Sequence, residues 1–458
     1  MSTQLITPPG PPERTGLVDS AGYYYQFLTD SIGTVGGRFE RFGDIYYAPS
    51  NGVGLYVLKH PDHLHDVLNK HAADYSKAHT AFDQLVKFLG HGLLTTDGDT
   101  WRRQRRMVNP AFTKKRLAGY TAAMAAEAKR SVDSWYPRQV RDMSREMMDL
   151  TLRVVCRTLF NHDVGSQTDA VAFAMHAFRG AVLRPGFIPE WLPTPGKASA
   201  ERALAVLDGI IFQMIGDRRS GRSESPDPPD LLHMLLTAVD DEGDGGTLDD
   251  REIRDQLITL FLAGHETTSH ALTWTLYLLS QNPDAEAKLH AELDRVIGSA
   301  ADGARAPSYD DLPNLPYTLW CFEEAMRIYP PAYTIARRAE NATTIGDFAV
   351  AKGSEVVMWI YHTHHDPRWW PDPEAFRPER FSPEEVNQRP KLAYLPFGSG
   401  ARACIGKMFA LIEGQLLLAT MAQRYRFELE PDFEVKMTAR VTLSPKNGMR
   451  MLIRERSA

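Results

Sequence analysis

One short stretch near the C-terminus constrains this chain more than any other part of it. Residues 397–406 read Phe-Gly-Ser-Gly-Ala-Arg-Ala-Cys-Ile-Gly, and a strongly helical run follows at once. The two glycines let the backbone turn sharply and direct amide N–H groups toward the Cys404 sulfur. The dipole of the following helix favours the thiolate over the thiol. A lone cysteine is more often buried and structural, but the small and cationic residues around Cys404 favour a metal-binding thiolate.

The other cysteines and the overall charge exclude several classes of protein. Cys156, Cys321 and Cys404 are the only cysteines among 458 residues, and no pair has CxxC spacing. This excludes a disulfide framework and a zinc ribbon, and it favours a reducing, cytoplasmic compartment. A net charge of −6 gives no reason to expect nucleic-acid binding. We expect no membrane anchor, because there is neither a signal sequence nor an apolar run of about 20 residues.

A second motif, Ala263-Gly-His-Glu-Thr-Thr268, lies midway along a helical run from about Asp249 to Ser280. Ala263, Gly264 and Thr267 share one helix face by their spacing. Two residues almost without side chains open a space in which a diatomic molecule can bind. The Thr267 hydroxyl and the Glu266 carboxylate can then pass protons to it.

Two histidine clusters are similar to metal-binding motifs, but neither has the spacing or the ligands that such a motif requires. The segment from His265 to His270 is one residue longer than HExxH, so the two rings point about 140° apart and cannot share a zinc ion. The run His362-Thr-His-His-Asp-Pro367 is close to HxHxDH of metallo-hydrolases, but proline takes the place of the last histidine. We therefore expect packing or hydrogen-bonding roles for these histidines.

The remaining sequence predicts a mainly helical chain with small sheets near both ends, folded as a single domain over residues 1–458. Residues 1–37 form an N-terminal lead-in that begins as an extended proline run. Short strands are expected after Asp44 and Gly54, and the polar breaks at 217–230 and 241–248 are expected to be surface loops.

Two local signals add detail to this outline. Thr247 and Asp250 have the spacing of a capping box at the start of the long helix. Asn447-Gly448 is typical of a tight turn in a closing hairpin.

The motif F-x-x-G-x-R-x-C-x-G, together with the pattern around Glu266, resembles the cytochrome P-450 superfamily, and the resemblance covers roughly residues 38–455. It implies a mainly α fold with small β-sheets, in which heme b lies between the long oxygen-side helix and the cysteine-side helix. Cys404 is then the axial iron ligand and Arg402 a partner of a heme propionate. The further heme contacts implied are Phe397, Gly406, Ala263 and Gly264.

The resemblance also assigns residues around the heme. Trp101 and Arg105 lie four apart on a helix and can face one propionate. Arg337 matches the position of the other propionate partner, although the adjacent Arg338 could replace it.

A structural network behind the heme is implied in the same way. Glu324 and Arg327 have i, i+3 spacing, which by itself indicates no more than an exposed ion pair. The resemblance adds Arg380 and makes the three a buried network that locks the core.

Two surfaces are implied with less support from the residues themselves. Four basic residues on the cysteine side of the heme are candidates to bind an acidic electron donor: Arg102, Arg103, Arg106 and Lys407. They could equally form an ordinary charged face. Arg102 and Arg106 should share a face that is exposed to solvent. Residues 80–86, and Phe82 among them, are expected to approach the substrate. Four residues further along the chain are expected to do the same: Phe261, Ala332, Thr334 and Val441.

The expected reaction is hydroxylation of a C–H bond by O2 and two electrons. The substrate is expected to be apolar or amphipathic: a fatty acid, terpenoid, steroid or polyketide. Because the chain ends soon after the heme-binding region, the electrons are expected from a separate ferredoxin or flavoprotein, and the protein is expected to be a monomer. An isomerase, dehydratase or peroxygenase, and a heme-based sensor, are alternatives. Glu266 and Thr267 favour the monooxygenase, since the alternatives often lack this pair or do not need it.

Overall fold

The protein divides into two compact units, each assembled from separate stretches of the sequence. A computed structural model describes residues 6–13, 17–49, 53–77, 80–161, 195–223, 229–243, 245–299 and 305–456. Unit 1 comprises Met1–Phe82, Glu324–Cys404 and Met437–Ser444, and unit 2 comprises Asp83–Glu323, Ile405–Lys436 and Pro445–Ala458. The expectation of one domain over the whole chain stays a prediction.

The described residues are mainly helical, as predicted from the sequence. In chain order the helices are α1 (Leu17–Thr29), α2 (Ser31–Phe42), α3 (Pro61–His65), α4 (Thr80–Leu89), α5 (Gly98–Val108), α6 (Lys114–Asp133), α7 (Met143–Leu159), α8 (Pro195–Arg219), α9 (Leu231–Thr237), α10 (Asp250–Gln281), α11 (Pro283–Ile297), α12 (Pro316–Ile328), α13 (Ile360–His364), α14 (Pro383–Val386) and α15 (Lys407–Arg424).

The strands are short and form small sheets. They are β1 (Ile45–Tyr47), β2 (Leu55–Leu58), β3 (Tyr75–Ser76), β4 (Val140–Asp142), β5 (Ile335–Ala339), β6 (Thr343–Ile345), β7 (Phe348–Val350), β8 (Glu355–Met358), β9 (Tyr425–Leu429), β10 (Met437–Ala439), β11 (Leu443–Pro445) and β12 (Arg450–Glu455).

Unit 1 is organised around a five-stranded sheet in the order β1-β2-β8-β5-β3. Strand β2 pairs with β8 in parallel and with β1 in antiparallel, and β5 is antiparallel to both β8 and β3. Leu58 and Met358 face each other in register and are fully buried, and Leu64 and Ile360 pack in the same apolar core. The strands expected after Asp44 and Gly54 are therefore confirmed.

Unit 2 contains the long helix α10, which packs along α7, and a three-stranded sheet in the order β4-β12-β9. Val154 of α7 and Leu257 of α10 are both almost completely buried. The cysteine-side helix α15 belongs to the same unit and contacts α10. No helix in the described ranges is both long enough and apolar enough to span a bilayer.

The long helix extends over 32 residues, close to its predicted bounds, but it is capped differently. Asp249 is the N-cap, and its side chain accepts a hydrogen bond from the Glu252 amide at 2.7 Å. The Glu252 carboxylate accepts one from the Asp249 amide at 3.0 Å, which completes the capping box. The predicted box of Thr247 and Asp250 is wrong by two residues, because an aspartate serves as an N-cap as well as a threonine does.

Other local predictions also need correction. The N-terminal lead-in is without regular structure only through its proline run, and helices α1 and α2 follow it. The break predicted at 217–230 starts inside α8, and a buried Arg218–Asp230 ion pair of 2.8 Å joins its two ends. Within 241–248 the described residues form turns beside an isolated bridge between Val239 and Thr247. Asn447-Gly448 does not close a hairpin, since the strands on its two sides belong to different sheets.

Candidate functional site

The Cys404 loop of unit 1 has the sharp turns that its glycines predict. Gly398 and Gly400 have φ angles of +68° and +70°, a left-handed conformation that side chains with a Cβ rarely adopt. A Cβ on Gly400 would also lie only 2.2 Å from the Leu68 carbonyl oxygen. The Cys404 amide donates to the Phe397 carbonyl at 2.9 Å, which closes the loop. Cys404 is exposed, whereas Cys156 and Cys321 are buried.

Helix α15 begins at Lys407, three residues after Cys404, as predicted. Its N-cap is Gly406, and no side chain caps its first turn. The free amide groups at the start of this helix carry positive potential, and they follow Cys404 closely along the chain. Positive potential of this kind stabilises a thiolate.

In unit 2, α10 is buried along most of its length but leaves an accessible stripe near its middle. Ala263 is exposed and Gly264 and Thr267 are partly exposed, whereas their neighbours along the helix are buried. The Thr267 hydroxyl donates to the Ala263 carbonyl at 2.8 Å. Gly264 has a packing role that the sequence did not suggest, because a Cβ there would come within 3.2 Å of Val155 on α7.

Glu266 and His270 lie side by side on α10. Their nearest side-chain atoms, Oε1 and Nε2, are 3.6 Å apart, and the two side chains are 6% and 2% exposed. His270 was expected from the sequence to have a packing or hydrogen-bonding role, without a named partner. Its i, i+4 spacing from Glu266 was the signal for this contact.

The predicted buried network is assembled in unit 1. Arg327 donates to both carboxylate oxygens of Glu324, at 2.7 Å and 2.9 Å, and both residues are fully buried. Arg380 Nε lies 3.2 Å from Glu324 Oε1, and Arg380 also donates to the Asp372 carbonyl at 2.8 Å. The pair is therefore a buried bidentate contact and not the exposed ion pair that its spacing alone indicated.

Strand β5 separates the two adjacent arginines that could serve as propionate partners. Arg337 is 9% exposed and Arg338 is exposed, because successive residues of a strand face opposite sides. A buried guanidinium is the better partner for a carboxylate, so the structure favours Arg337. Of the other expected partners, Arg402 is partly buried in unit 1, and Trp101 and Arg105 are partly buried on α5 in unit 2.

The basic residues of α5 differ from the expected charged face. Arg106 makes a bidentate contact with the buried Asp240, at 2.8 Å to Oδ2. Arg103 is paired with Glu252 at 2.7 Å and donates to the Thr247 carbonyl. The Arg106 side chain is 36% exposed, but its charge is used to hold Asp240 within unit 2. The expectation that it shares a solvated face with Arg102 stays a prediction. Arg102 and Lys407 are exposed.

Three of the five expected substrate-contact residues lie together in unit 1. The Tyr333 hydroxyl donates to the Arg440 carbonyl at 2.7 Å, and the Leu443 amide donates to the Pro331 carbonyl at 3.0 Å. These bonds place Ala332 and Thr334 beside the segment that contains Val441. In unit 2, Phe261 is 7% exposed, and its ring stacks on Phe160. Phe82 lies in α4, but its side chain is outside the described part of the structure.

The histidines of the 362–367 run contact backbone atoms. His364 is bonded on both ring nitrogens, to the Arg327 carbonyl at 3.2 Å and to the Leu395 amide at 3.0 Å. Burial holds its pKa well below the usual range, so the ring is neutral. His362 and His365 lie against the carbonyls of Ile32 and Tyr361.

Sequence analysis missed Glu413, a fully buried glutamate on α15. Neither of its carboxylate oxygens forms a hydrogen bond within the described ranges. Burial raises its pKa well above the usual range, and the neighbouring Thr268 hydroxyl offsets only part of this effect. An acid in the middle of the apolar run LIEGQLLL was the signal that identified it.

The residues present fit a heme as the implied cofactor. Across the described ranges there is no cluster of three or more His, Cys, Asp or Glu side chains able to hold a metal ion alone. A cysteine thiolate is one of the protein ligands that hold heme iron. In unit 1, the exposed Cys404 is a soft ligand and the buried Arg337 is a cation suited to a carboxylate. In unit 2, the stripe of α10 is a surface without bulky side chains.

Comparison with known proteins agrees with this chemistry. Residues 24–451 match the family model described as Cytochrome P450. The chain is 39% identical to cyclooctatin synthase of Streptomyces melanosporofaciens, over 85% of this chain and 84% of that protein. It is 36% identical to cyclooctat-9-en-7-ol 5-monooxygenase of the same organism, over 85% and 83%. Pentalenene oxygenase of Streptomyces avermitilis is 31% identical, over 96% and 97%.

The fold is also similar to a solved structure. The crystal structure of the cytochrome P450DA heme domain superposes with a TM-score of 0.83 at 26% identity, and the alignment covers 99% of this chain and 98% of that one.

Proposed function

The chain belongs to the cytochrome P450 family and is a heme b-dependent monooxygenase, and from this we propose that it inserts one oxygen atom from O2 into a C–H bond of a terpenoid. Heme bound through a cysteine thiolate supplies the redox chemistry that cleaves the O–O bond. The observation that carries the residue assignment is that Cys404 is exposed and precedes by three residues a helix whose first turn has no side-chain cap. Cys404 would bind the heme iron through its thiolate, and Arg337, Arg402, Trp101 and Arg105 would hold the propionates.

Thr267 and Glu266 are proposed to supply the protons that the reduction of O2 consumes. Thr267 Oγ1 uses its own proton to bond the Ala263 carbonyl, so its lone pairs remain to accept a hydrogen bond at the accessible stripe of α10. The Glu266 carboxyl, adjacent in sequence and largely buried, is the acid that replenishes the proton. Both groups are needed because a hydroxyl alone is too weak an acid to deliver successive protons.

The substrate is proposed to be a terpenoid among the four classes expected from the sequence. Two of the relatives take their names from the alkenes cyclooctat-9-en-7-ol and pentalenene. The described surfaces are consistent with an uncharged ligand, since Ala332, Thr334 and Val441 carry no charge. A fatty-acid carboxylate would require a cation that these residues do not supply.

The electrons are proposed to come from a separate ferredoxin or flavoprotein. Arg102 and Lys407, which are exposed in unit 2, are the basic residues proposed to meet an acidic surface on that donor.

The experiment combines a binding screen with isotope labelling. Cyclic terpenes and fatty acids of the same carbon number are titrated into the heme-loaded protein, and the spin-state change of the heme spectrum is recorded. The cyclic terpenes should bind more tightly than the fatty acids of the same carbon number. Turnover with a ferredoxin, its reductase and reduced nicotinamide under 18O2 should then give a product that contains one labelled oxygen atom. Unlabelled product, or product formed without electrons, would contradict the monooxygenase reaction, and tighter binding of fatty acids would contradict the substrate class.

A further inference from the structure

We propose that His270 is a positioning residue that holds the Glu266 carboxyl by a hydrogen bond from its ring. This inference rests on the proton-delivery role proposed above for Glu266. It adds a histidine to a pathway that otherwise consists of one acid and one alcohol.

The geometry places the two side chains on one face of α10 with their polar ends together. His270 Nε2 and Glu266 Oε1 are 3.6 Å apart, slightly beyond a hydrogen bond, and a small rotation of either side chain closes the gap. Both side chains are more than nine-tenths buried, so water does not compete for this contact.

His270 is unusual among the buried histidines in having no hydrogen bond to any described residue. Neither Nδ1 nor Nε2 has such a partner. A buried polar group without a partner is destabilising, so such a group in a native structure calls for a functional explanation. The structure places the Glu266 carboxylate 3.6 Å from the Nε2 atom.

Two other histidines show what a structural role requires. His265, also on α10 and fully buried, has Nδ1 within 2.8 Å of the Phe261 carbonyl one turn earlier. His364 is bonded on both ring nitrogens. A histidine that only fills space in this fold is therefore hydrogen-bonded to the backbone, and His270 is not.

An imidazole suits this position because it can bond either state of the acid. With the proton on Nε2, the ring donates to the Glu266 carboxylate. With the proton on Nδ1, Nε2 accepts a hydrogen bond from the protonated carboxyl group. His270 can thus hold Glu266 in one place before and after it gives its proton to Thr267, without itself donating a proton to oxygen.

The first test observes His270 without changing it. The 15N spectrum of histidine-labelled holoenzyme is recorded in the reduced, carbon monoxide-bound state, which is diamagnetic. Among the 15 histidines, the signals of His270 and His265 are assigned from His270→Gln and His265→Gln. Replacing Glu266 by Gln should shift the ring nitrogens of His270 and leave those of His265 in place. Unchanged His270 signals would overturn the proposal.

The second test separates positioning from packing. His270→Leu keeps the apolar contacts and should lower the product formed per electron pair by roughly two- to tenfold, the range that one hydrogen bond supports. His270→Gln, which can still bond Glu266, should recover most of the loss, and His265→Gln should behave like the wild type. Coupling in His270→Leu equal to the wild type would overturn the proposal. If Thr267→Ala also remained fully coupled, the proton-delivery role itself would be wrong, so the two failures are distinguishable.

Discussion

Arg327 donates two hydrogen bonds to the Glu324 carboxylate, at 2.7 Å and 2.9 Å, and neither side chain is accessible to solvent. Arg327 also donates to the carbonyl of His364, and Glu324 accepts from the Arg377 amide. One ion pair thus ties α12 to two segments that precede the cysteine loop of unit 1. Its bonds are directed at fixed backbone atoms, so it fixes the positions of those segments.

Removal of one member of this pair should be strongly destabilising. Arg327→Ala leaves a buried carboxylate without its main partner, which should lower the free energy of unfolding by about 3–5 kcal/mol. Urea unfolding of the heme-loaded protein measures the change. The matched control is Arg102→Ala, since Arg102 pairs with Asp99 at the surface and should contribute roughly 0.5 kcal/mol. Equal effects of the two variants would show that burial does not matter here.

Loss of the Thr267 hydroxyl should uncouple electron use from product formation. In Thr267→Ala the lone pairs that accept a hydrogen bond at the stripe are gone, so hydrogen peroxide should accumulate and product per electron pair should fall by up to about 10²-fold. Thr267→Ser keeps the hydroxyl and should retain most of the coupling. Nicotinamide oxidation, peroxide and product are measured in the same reaction. Fully coupled turnover by the alanine variant would contradict the proposed role.

Glu413 should make the protein less stable as the pH rises. Its pKa in the folded protein is raised above the ordinary value of 4.5 because burial disfavours the carboxylate. A raised folded pKa means that the native state binds the proton more tightly. The favourable contribution is therefore complete below the unfolded pKa and is lost as the pH rises through the folded pKa.

Glu413→Gln removes this dependence while preserving shape. The difference in unfolding free energy should increasingly favour the variant as the pH rises above about 4.5. Thermal or urea unfolding across mildly acidic to mildly alkaline pH provides the measurement. Glu384→Gln, at an exposed position of α14, is the control and should leave the pH profile as in the wild type. A constant offset at all pH values for Glu413→Gln would contradict the explanation.

Reversal of the exposed basic charges of unit 2 should weaken the reaction with an acidic electron donor. Arg102→Glu and Lys407→Glu should raise the KM for the donor, and the effect should shrink with added salt because exposed charges are screened beyond about 10 Å at moderate ionic strength. Arg454→Glu makes the same charge change at an exposed position of β12 and controls for net charge. Arg106→Glu should instead unfold more easily, since it would oppose the buried Asp240.

The sequence predicted well those features that depend on neighbours along the chain. The bounds of α10, the start of α15 after Gly406 and the strands after Asp44 and Gly54 follow from periodicity, helix propensity and glycine positions. The sharp turns of the Cys404 loop were also predicted, because positive φ angles at Gly398 and Gly400 are local properties of glycine.

Features that depend on distant partners could not be predicted in this way. The use of Arg106 to hold Asp240 and the packing of Gly264 against Val155 are each determined by another element. The same holds for Glu324, whose spacing from Arg327 gave no indication of complete burial. The choice between Arg337 and Arg338 depends on which side of β5 faces inward. A shift of the strand pairing by one residue would exchange the buried and the exposed arginine.

The central claim, that Cys404 is the thiolate ligand of the heme iron, is tested most directly by the absorption spectrum of the reduced protein with carbon monoxide. The wild type should show the red-shifted Soret band that marks thiolate ligation. Cys404→Ala, with heme content measured separately, should lose that band, whereas Cys321→Ala, which alters a buried cysteine, should keep it. A red-shifted band that persists in Cys404→Ala would contradict the assignment.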